Sequence, residues 1–128
     1  MSTEIIEKEL SYQIMEAAFE VHNRLGPGFL EGIYEVATAL ELRERGLQID
    51  TQVRIPVVYK GHQIGEHILD QVVNQRVILE LKAVSQIADI HKQQALSYLR
   101  ATGLQLAIVI NFGATRVQSA RVVNTKSK

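Results

Sequence analysis

The hydrophobic period changes along this chain of 128 residues. Residues 11–25 and about 30–45 repeat apolar side chains every three or four positions, which predicts two helices. Residues 53–84 instead alternate or run continuously apolar between short polar turns, which predicts three strands. A further helix and one or two strands follow. This order predicts a mixed β-sheet flanked by helices.

The boundaries of these segments fall at turn-forming residues. Gly26-Pro27-Gly28 ends the first helix and Gly46 ends the second, because proline cannot continue a helix and glycine adopts the dihedrals of a C-terminal stop. The predicted strands are 53–59, 64–73, 76–84, 104–111 and 116–123, and the third helix is 90–101 with Asp89 as its N-cap. On the second helix we expect the inward side to carry Ile33, Val36, Ala37 and Leu40.

Composition limits the function classes. The 14 Lys and Arg balance the 14 Asp and Glu, and 46% of the residues are hydrophobic, as in an ordinary soluble domain. The absence of cysteine excludes disulfide scaffolds, thiol nucleophiles and cysteine metal sites. With no apolar signal segment at the start, we expect one cytoplasmic domain over residues 1–128, with its core at about 10–123 and a polar tail at 124–128. The neutral charge argues against binding nucleic acid through bulk charge.

The third predicted strand carries two charged side chains in an apolar setting. Glu80 and Lys82 are two positions apart in VILELKAV, so both point to the same face of the sheet. Charged groups are seldom buried unless they are paired. The pattern alone leaves two interpretations open, a functional pair or simply a solvated face or ion pair on an edge strand.

Asp70 precedes the turn that leads into this strand. A two-residue turn would place Asp70 opposite Leu79, on the wrong face, whereas a three-residue loop centred on Asn74 would pair it with Ile78, on the face of Glu80. Asp70 and Glu80 can therefore share a site only if the connection is odd in length or contains a bulge.

Two helical pairs complete the candidate set. Glu31 lies in the first turn of the second helix with Tyr34 at i+3 and Glu35 at i+4 on the same face, although a glutamate there is also favoured by the helix dipole. Gln94 and Tyr98 are i, i+4 neighbours on the third helix, a face that ordinary amphipathic packing would equally explain.

In this order the residues resemble the PD-(D/E)XK nuclease superfamily. Its exonuclease-like branch carries an aspartate, then Glu-x-Lys, then Gln-x-x-x-Tyr on the next helix, which match Asp70, Glu80-Leu81-Lys82 and Gln94 to Tyr98. The stretch GPGFLEGIY also resembles the signature of small bacterial GxxExxY proteins. The resemblance covers about residues 10–123 and implies an α/β (α+β) fold with the restriction-endonuclease-like αβββαβ core.

The resemblance implies a role for each residue. Asp70, Glu80 and the Leu81 carbonyl would bind Mg²⁺ or Mn²⁺, which prefer hard oxygen ligands, with Glu31 as a further ligand. Lys82 would position or deprotonate the attacking water, and Gln94 and Tyr98 would orient the lysine or contact the substrate phosphate. Basic side chains that could attract the substrate are Lys92, Arg100, Arg116, Arg121 and the lysines of the tail.

The implied activity is metal-dependent hydrolysis of phosphodiester bonds in DNA, at ends or in single strands. One alternative is a binding or assembly module that keeps the fold without turnover, supported by the small size and neutral charge. Hydrolysis of a small nucleotide is a third possibility, because it would use the same residues. Apolar residues on a possible edge strand also make a homodimer or a partner protein reasonable.

Overall fold

The computed structural model describes residues 5–125, which form three helices and five strands. In chain order these are α1 (Lys8–Leu25), α2 (Glu31–Glu44), β1 (Ile49–Tyr59), β2 (His62–Val73), β3 (Val77–Lys82), α3 (Asp89–Thr102), β4 (Leu106–Asn111) and β5 (Gln118–Val123). Every element that the hydrophobic pattern predicts is present. Within residues 5–125 no helix combines the length and the apolar character needed to cross a membrane.

The strands form one mixed sheet in the order β1-β2-β3-β4-β5. Only the β3–β4 pair is parallel, because α3 carries the chain back across the sheet between these two strands. The two central strands, β3 and β4, are almost wholly buried, as expected of strands covered on both faces. The fold class is therefore the expected one, a mixed sheet flanked by helices, consistent with a restriction-endonuclease-like architecture.

The sheet separates two hydrophobic cores. On one face, Val77, Leu79 and Leu81 of β3 pack with apolar residues of α1 and α2. On the other face, Ile78 packs with the α3 cluster, whose members include Tyr98 and Leu99. Because successive side chains of a strand point to opposite faces, Glu80 and Lys82 follow Ile78 to the α3 face.

The prediction of which face of α2 points toward the core is wrong. Ile33, Val36 and Leu40 are 47%, 64% and 57% exposed, and only Ala37 of the predicted set packs against the core. The residues buried instead are Tyr34, Thr38, Ala39 and Leu42. Apolar residues occur on two sides of this helix, so periodicity could not choose between them. The anchoring of Tyr34 in the core decides the rotation of the helix.

The start of α3 also differs from expectation. Asp89 is the first helical residue and not its N-cap, which is Ala88. The ring Nδ1 of His91 accepts a hydrogen bond from the Ala88 N–H at 3.0 Å, so His91 satisfies the backbone donor at this end of the helix.

Candidate active site

A three-residue connection determines the register between β2 and β3. Val73 pairs with Val77, which leaves residues 74–76 as the loop. Asn74 and Gln75 both adopt left-handed conformations, with φ of 51° and 57°. The expectation of an odd-length connection is confirmed, but the loop is centred on Gln75 and not on Asn74.

The shift of the loop centre decides which residue faces Asp70. The last paired residues of the ladder are Gln71 and Leu79. The same register carried one residue further places Asp70 opposite Glu80, whereas a loop centred on Asn74 would have placed it opposite Ile78. The ladder ends just before this pair, and the charge of Asp70 acts on Glu80 where the two strands separate.

Strand β2 breaks its alternation at this point. Leu69 and Val72 pack in the same α3 cluster although they are three residues apart, which strict two-residue alternation does not allow. Between them, the Gln71 side chain turns toward α2 and its Nε2 donates to the Glu35 carbonyl at 2.8 Å. Asp70 turns toward β3, where its Oδ2 accepts the Leu81 N–H at 2.8 Å. A strand residue directs its N–H and C=O to the same neighbouring strand, so the Leu81 carbonyl points to the side of Asp70 as well.

Glu80 is buried on the α3 face of the sheet. It is 4% exposed and lies on a central strand, which contradicts the interpretation of a solvated face or an edge-strand pair. Its Oε2 lies 3.6 Å from the Lys82 Nζ and accepts a long hydrogen bond of 3.5 Å from the Tyr98 hydroxyl. Its Oε1 is buried and has no hydrogen-bond partner within the described part of the chain. A buried carboxylate oxygen without a partner is costly to the fold.

Burial and neighbouring charge shift the ionisation of this cluster. Burial, followed by the negative charge of Asp70, raises the pKa of Glu80 to about 7, against the opposing effect of Lys82. Burial also raises the pKa of Asp70, although the hydrogen bond from the Leu81 N–H acts in the opposite direction. The pKa of Tyr98 is raised by burial and by the charge of Glu80, so the hydroxyl stays protonated as a donor.

Helix α2 contributes two further carboxylates to the cluster, those of Glu31 and Glu35. The negative charge of Glu31 raises the pKa of Asp70 and, more weakly, that of Glu80, which places Glu31 within electrostatic reach of both. Glu35, one turn later, has a pKa raised to about 6 by burial first and then by Asp70. Interaction between the two carboxyl groups raises the pKa of Glu35 and lowers that of Asp70, which favours the proton on Glu35.

Tyr34 anchors the segment that leads into α2. Its ring is fully buried and stacks on Phe112 with the ring centroids 4.7 Å apart. Its hydroxyl donates to the Gly26 carbonyl and accepts the Phe29 N–H, so it ties the Gly-Pro-Gly turn to the helix start. In the Gly28-x-x-Glu31-x-x-Tyr34 pattern, the tyrosine therefore fixes the turn, and the glutamate is left facing the carboxylate cluster.

The remaining predicted residues lie on or around α3. Tyr98 is buried against Glu80, and Gln94, an exposed residue, lies one turn before it on the same face of the helix. Lys92 and Arg100 are exposed on the same helix, and Arg116 is exposed before β5. Arg121 instead donates to Ser11 Oγ and to the Ile6 carbonyl, which ties β5 to the start of α1. Lys126 and Lys128 of the tail lie outside the described residues.

Sequence reasoning did not select two residues that lie at this site. Glu35 is i+4 from Glu31, and that helical spacing was the available signal. His67 lies on β2, packs its ring edge-on against Tyr98 at 4.6 Å between centroids, and approaches Ser97 Oγ at 3.4 Å. No local pattern in the sequence points to His67, because only tertiary packing brings it to α3.

The donor set of the cluster fits a hard divalent cation. Asp70 and Glu80 face each other beside the Leu81 carbonyl, and carboxylate and carbonyl oxygens are the ligands that Mg²⁺ and Mn²⁺ prefer. Within the described residues the buried Oε1 of Glu80 has no partner, and burial and the charge of Asp70 raise the pKa of Glu80; an added positive charge would relieve both. Among residues 5–125, however, no three His, Asp or Glu side chains are arranged to hold a metal ion together.

Comparison with known proteins supports the fold. The fold matches the crystal structure of SSO0001 with a TM-score of 0.62 at 14% identity, over 75% of this chain and 50% of that one. This chain thus spans half the length of that structure, and the likeness concerns the fold alone. No curated protein matches the sequence. The narrower GxxExxY grouping stays a prediction. A model of the PD-(D/E)XK nuclease superfamily matches residues 8–122, nearly the whole chain, and this chain belongs to that superfamily.

Proposed function

We propose that this nuclease-superfamily protein hydrolyses phosphodiester bonds in DNA with the help of Mg²⁺ or Mn²⁺. The observation that carries the proposal is Glu80. This carboxylate is buried between an apolar sheet and α3, lies beside Lys82 and within electrostatic reach of Asp70, and has one oxygen with no partner among the described residues. Stability alone gives no reason to retain such a group, because replacing a buried ionic cluster with apolar residues is often neutral or stabilising.

In this proposal Asp70, Glu80 and the Leu81 carbonyl hold the cation, and Glu31 supplies a further ligand from α2. The bound cation would polarise the scissile phosphate and lower the pKa of the attacking water. The hydrogen bond from the Leu81 N–H to Asp70 supports this assignment, because it holds one ligand against the backbone that supplies another.

Lys82 positions the attacking water in this proposal. Its Nζ lies 3.6 Å from Glu80 Oε2, and its side chain keeps 17% of its surface exposed, so the ammonium is held beside the cation site and still accessible to water. Tyr98 holds Glu80 from the α3 side through its hydroxyl. Gln94, Lys92 and Arg100, all exposed on α3, would contact the phosphates that flank the scissile one.

The substrate we propose is a DNA end or a single strand. The chain is neutral overall, which does not suit tight binding along a duplex. No described element resembles a recognition helix placed outside the sheet to read a major groove. Affinity is expected to fall as the salt concentration rises, because phosphate contacts release counterions.

The test is a cleavage assay on end-labelled single- and double-stranded DNA and RNA with Mg²⁺ or Mn²⁺. Wild type is expected to cut DNA only with a divalent cation, and Lys82→Ala is expected to lose at least about 100-fold in rate, the usual scale for removing a proton-transfer group. Arg76→Ala, which removes an exposed charge in the β2–β3 loop, serves as the matched control and is expected to cut normally.

Activity that survives in Lys82→Ala would indicate a contaminating nuclease and contradict the proposal. If wild type neither cuts nucleic acid nor binds a divalent cation in calorimetry, the alternative is favoured, a binding or assembly module that keeps the nuclease fold.

A further inference from the structure

A pocket of about 340 Å³ lies between α2 and β1, next to the carboxylate cluster. We call it the α2–β1 pocket. Its lining includes Glu35, Val36, Leu40, Arg43, Gln52 and Asp70. Its volume falls in the range of pockets that take small organic ligands. Glu35 and Asp70 belong to the candidate active site, so whatever occupies the pocket lies directly beside the scissile phosphate.

One wall of the α2–β1 pocket is apolar although packing of the hydrophobic core does not require it. Val36 and Leu40 are 64% and 57% exposed, although α2 already buries a separate face in the core. Helix α2 thus presents a second apolar face, and part of that face lines the pocket. An apolar wall suits the flat face of an aromatic ligand.

The opposite wall carries a strained residue. Gln52 lies inside β1, yet its φ is 52°, a left-handed conformation that is strained for any residue other than glycine. It lies across from Asp70, where the pairing of β1 with β2 is interrupted between Thr51 and Val53. In this conformation the Gln52 amide donates to Glu35 Oε1 at 3.4 Å, and it borders the pocket. Strain of this kind is retained mainly at functional positions.

A positive charge also borders the α2–β1 pocket. Arg43 lies on the last turn of α2, and its Nη2 donates to the Ile49 carbonyl at 2.8 Å, which holds the guanidinium at the start of β1. The pocket therefore combines an apolar wall, an amide that can donate and accept, and a cation. An unstacked nucleobase next to a phosphate has the complementary chemistry, a flat apolar face, polar edges and a negative charge.

We propose that the α2–β1 pocket binds one unstacked base of a single-stranded substrate, adjacent to the scissile phosphate. Val36 and Leu40 contact the face of the base, Gln52 contacts its polar edge, and Arg43 contacts the next phosphate. This inference rests on the proposed nuclease function and names the substrate conformation that the site selects. A base within a duplex is stacked and paired, so it cannot enter the pocket without being extruded.

The test compares three dinucleotides that each carry a single phosphate, so that the phosphate fixes their position at the cation site. The probes are d(ApA) and its two analogues in which one adenine is replaced by an abasic deoxyribose. Their binding is measured by NMR in Ca²⁺, which has the oxygen preference of Mg²⁺ and is used here to prevent turnover. The abasic analogue that lacks the pocket base is expected to bind about tenfold more weakly than d(ApA), the effect of burying roughly 60 Å² of apolar surface. Both d(ApA) and the other analogue, which keeps that base, are expected to shift the methyl signals of Val36 and Leu40.

Two variants remove pocket contacts without disturbing the core. Val36→Gln replaces an exposed apolar wall residue, and Gln52→Gly deletes the amide while keeping the left-handed backbone. Each is expected to reduce the ratio between d(ApA) and the weaker abasic analogue to about threefold or less. Ile33→Gln, which changes an exposed apolar residue of α2 outside the pocket lining, is the matched control and is expected to keep the tenfold ratio.

The outcomes separate this inference from the proposed function. If d(ApA) shifts the amide signals of Asp70 and Leu81 but each abasic analogue binds as tightly as d(ApA), the pocket does not bind a base, although the cation site still binds a phosphodiester. If Val36→Gln and Gln52→Gly keep the tenfold ratio, the base binds elsewhere and the inference is wrong. If no dinucleotide affects the carboxylate cluster, the proposed function fails and the pocket inference fails with it.

Discussion

The Asp70 carboxylate accepts a hydrogen bond from the backbone N–H of Leu81 at 2.8 Å, just beyond the last paired residues of the β2–β3 ladder. The Asp70 side chain thus accepts the hydrogen bond that a backbone carbonyl would accept if the two strands stayed paired at this position. Because Leu81 lies between Glu80 and Lys82, this one contact fixes the aspartate against the Glu-x-Lys segment. The geometry of the candidate site therefore depends on a strand ladder that ends at this position.

Asp70→Asn is expected to abolish stabilisation by divalent cations while keeping the fold. The asparagine oxygen can still accept the Leu81 N–H, but it removes the charge that a cation needs. At about tenfold the dissociation constant, Mg²⁺ or Mn²⁺ should raise the melting temperature of wild type and of Lys82→Ala on the order of 5 °C, and that of Asp70→Asn hardly at all. Asp89→Asn, an exposed aspartate at the start of α3, is the control and should respond like wild type. An equal rise in Asp70→Asn would remove Asp70 from the cation site.

The metal-free protein is expected to lose stability as the pH rises from about 4.5 to about 7. The pKa of Glu80 rises from 4.5 to about 7, so over this interval the folded protein keeps a proton that the unfolded chain has released. Glu35, with a pKa of about 6, acts in the same direction. Urea denaturation in EDTA at several pH values measures the effect.

Glu80→Gln is expected to flatten this pH dependence and to raise the stability of the metal-free protein at pH 8, because it removes a buried charge that repels Asp70. The same substitution at the exposed Glu44 should leave the pH dependence unchanged. A pH profile of Glu80→Gln that matches wild type would show that Glu80 does not titrate with a raised pKa.

Tyr34→Phe is expected to destabilise the protein by about 1 kcal/mol, because the Gly26 carbonyl and the Phe29 N–H lose their partner. Tyr34→Ala should cost about 3–5 kcal/mol, since it also removes the ring that stacks on Phe112. Urea denaturation measures both, with Tyr12→Phe on the exposed side of α1 as the control. A Tyr34→Phe variant as stable as wild type would mean that the hydroxyl does not hold the turn.

Asn111→Ala is expected to cost about 2–3 kcal/mol. The fully buried amide of Asn111 accepts from the N–H groups of Val84 and Gly113 and donates to the Val84 carbonyl and to Gln118. It thereby holds the chain two residues after Lys82. The control is Asn23→Ala on the exposed face of α1, which should change stability by less than about 0.7 kcal/mol. Comparable stabilities of the two variants would contradict the bracing role.

Local pattern was enough to predict several features of the site. Two-residue alternation predicts that Glu80 and Lys82 share a face, and helical spacing brings Gln94 to the turn before Tyr98. The order of the elements also follows from hydrophobic period and turn residues, because both act over a few neighbouring positions. Only the ends of the elements differ, as for β1, which begins at Ile49 and not at residue 53.

The meeting of separate segments could not be predicted in this way. The rotation of α2 depends on Tyr34 stacking on Phe112, a residue that lies after β4. The contact of His67 with Tyr98 joins β2 to α3, and the charge of Asp70 raises the pKa of Glu35 across the α2–β2 contact that Gln71 makes.

The sequence by itself therefore determined the elements, their order and the residue types that can bind a hard cation. The tertiary structure alone decided that Asp70 faces Glu80 and that Val36 and Leu40 line a pocket beside them. The physical reason is that backbone period and turn chemistry are local. Strand register and helix rotation are instead selected by the packing of distant side chains, which no short stretch of sequence contains.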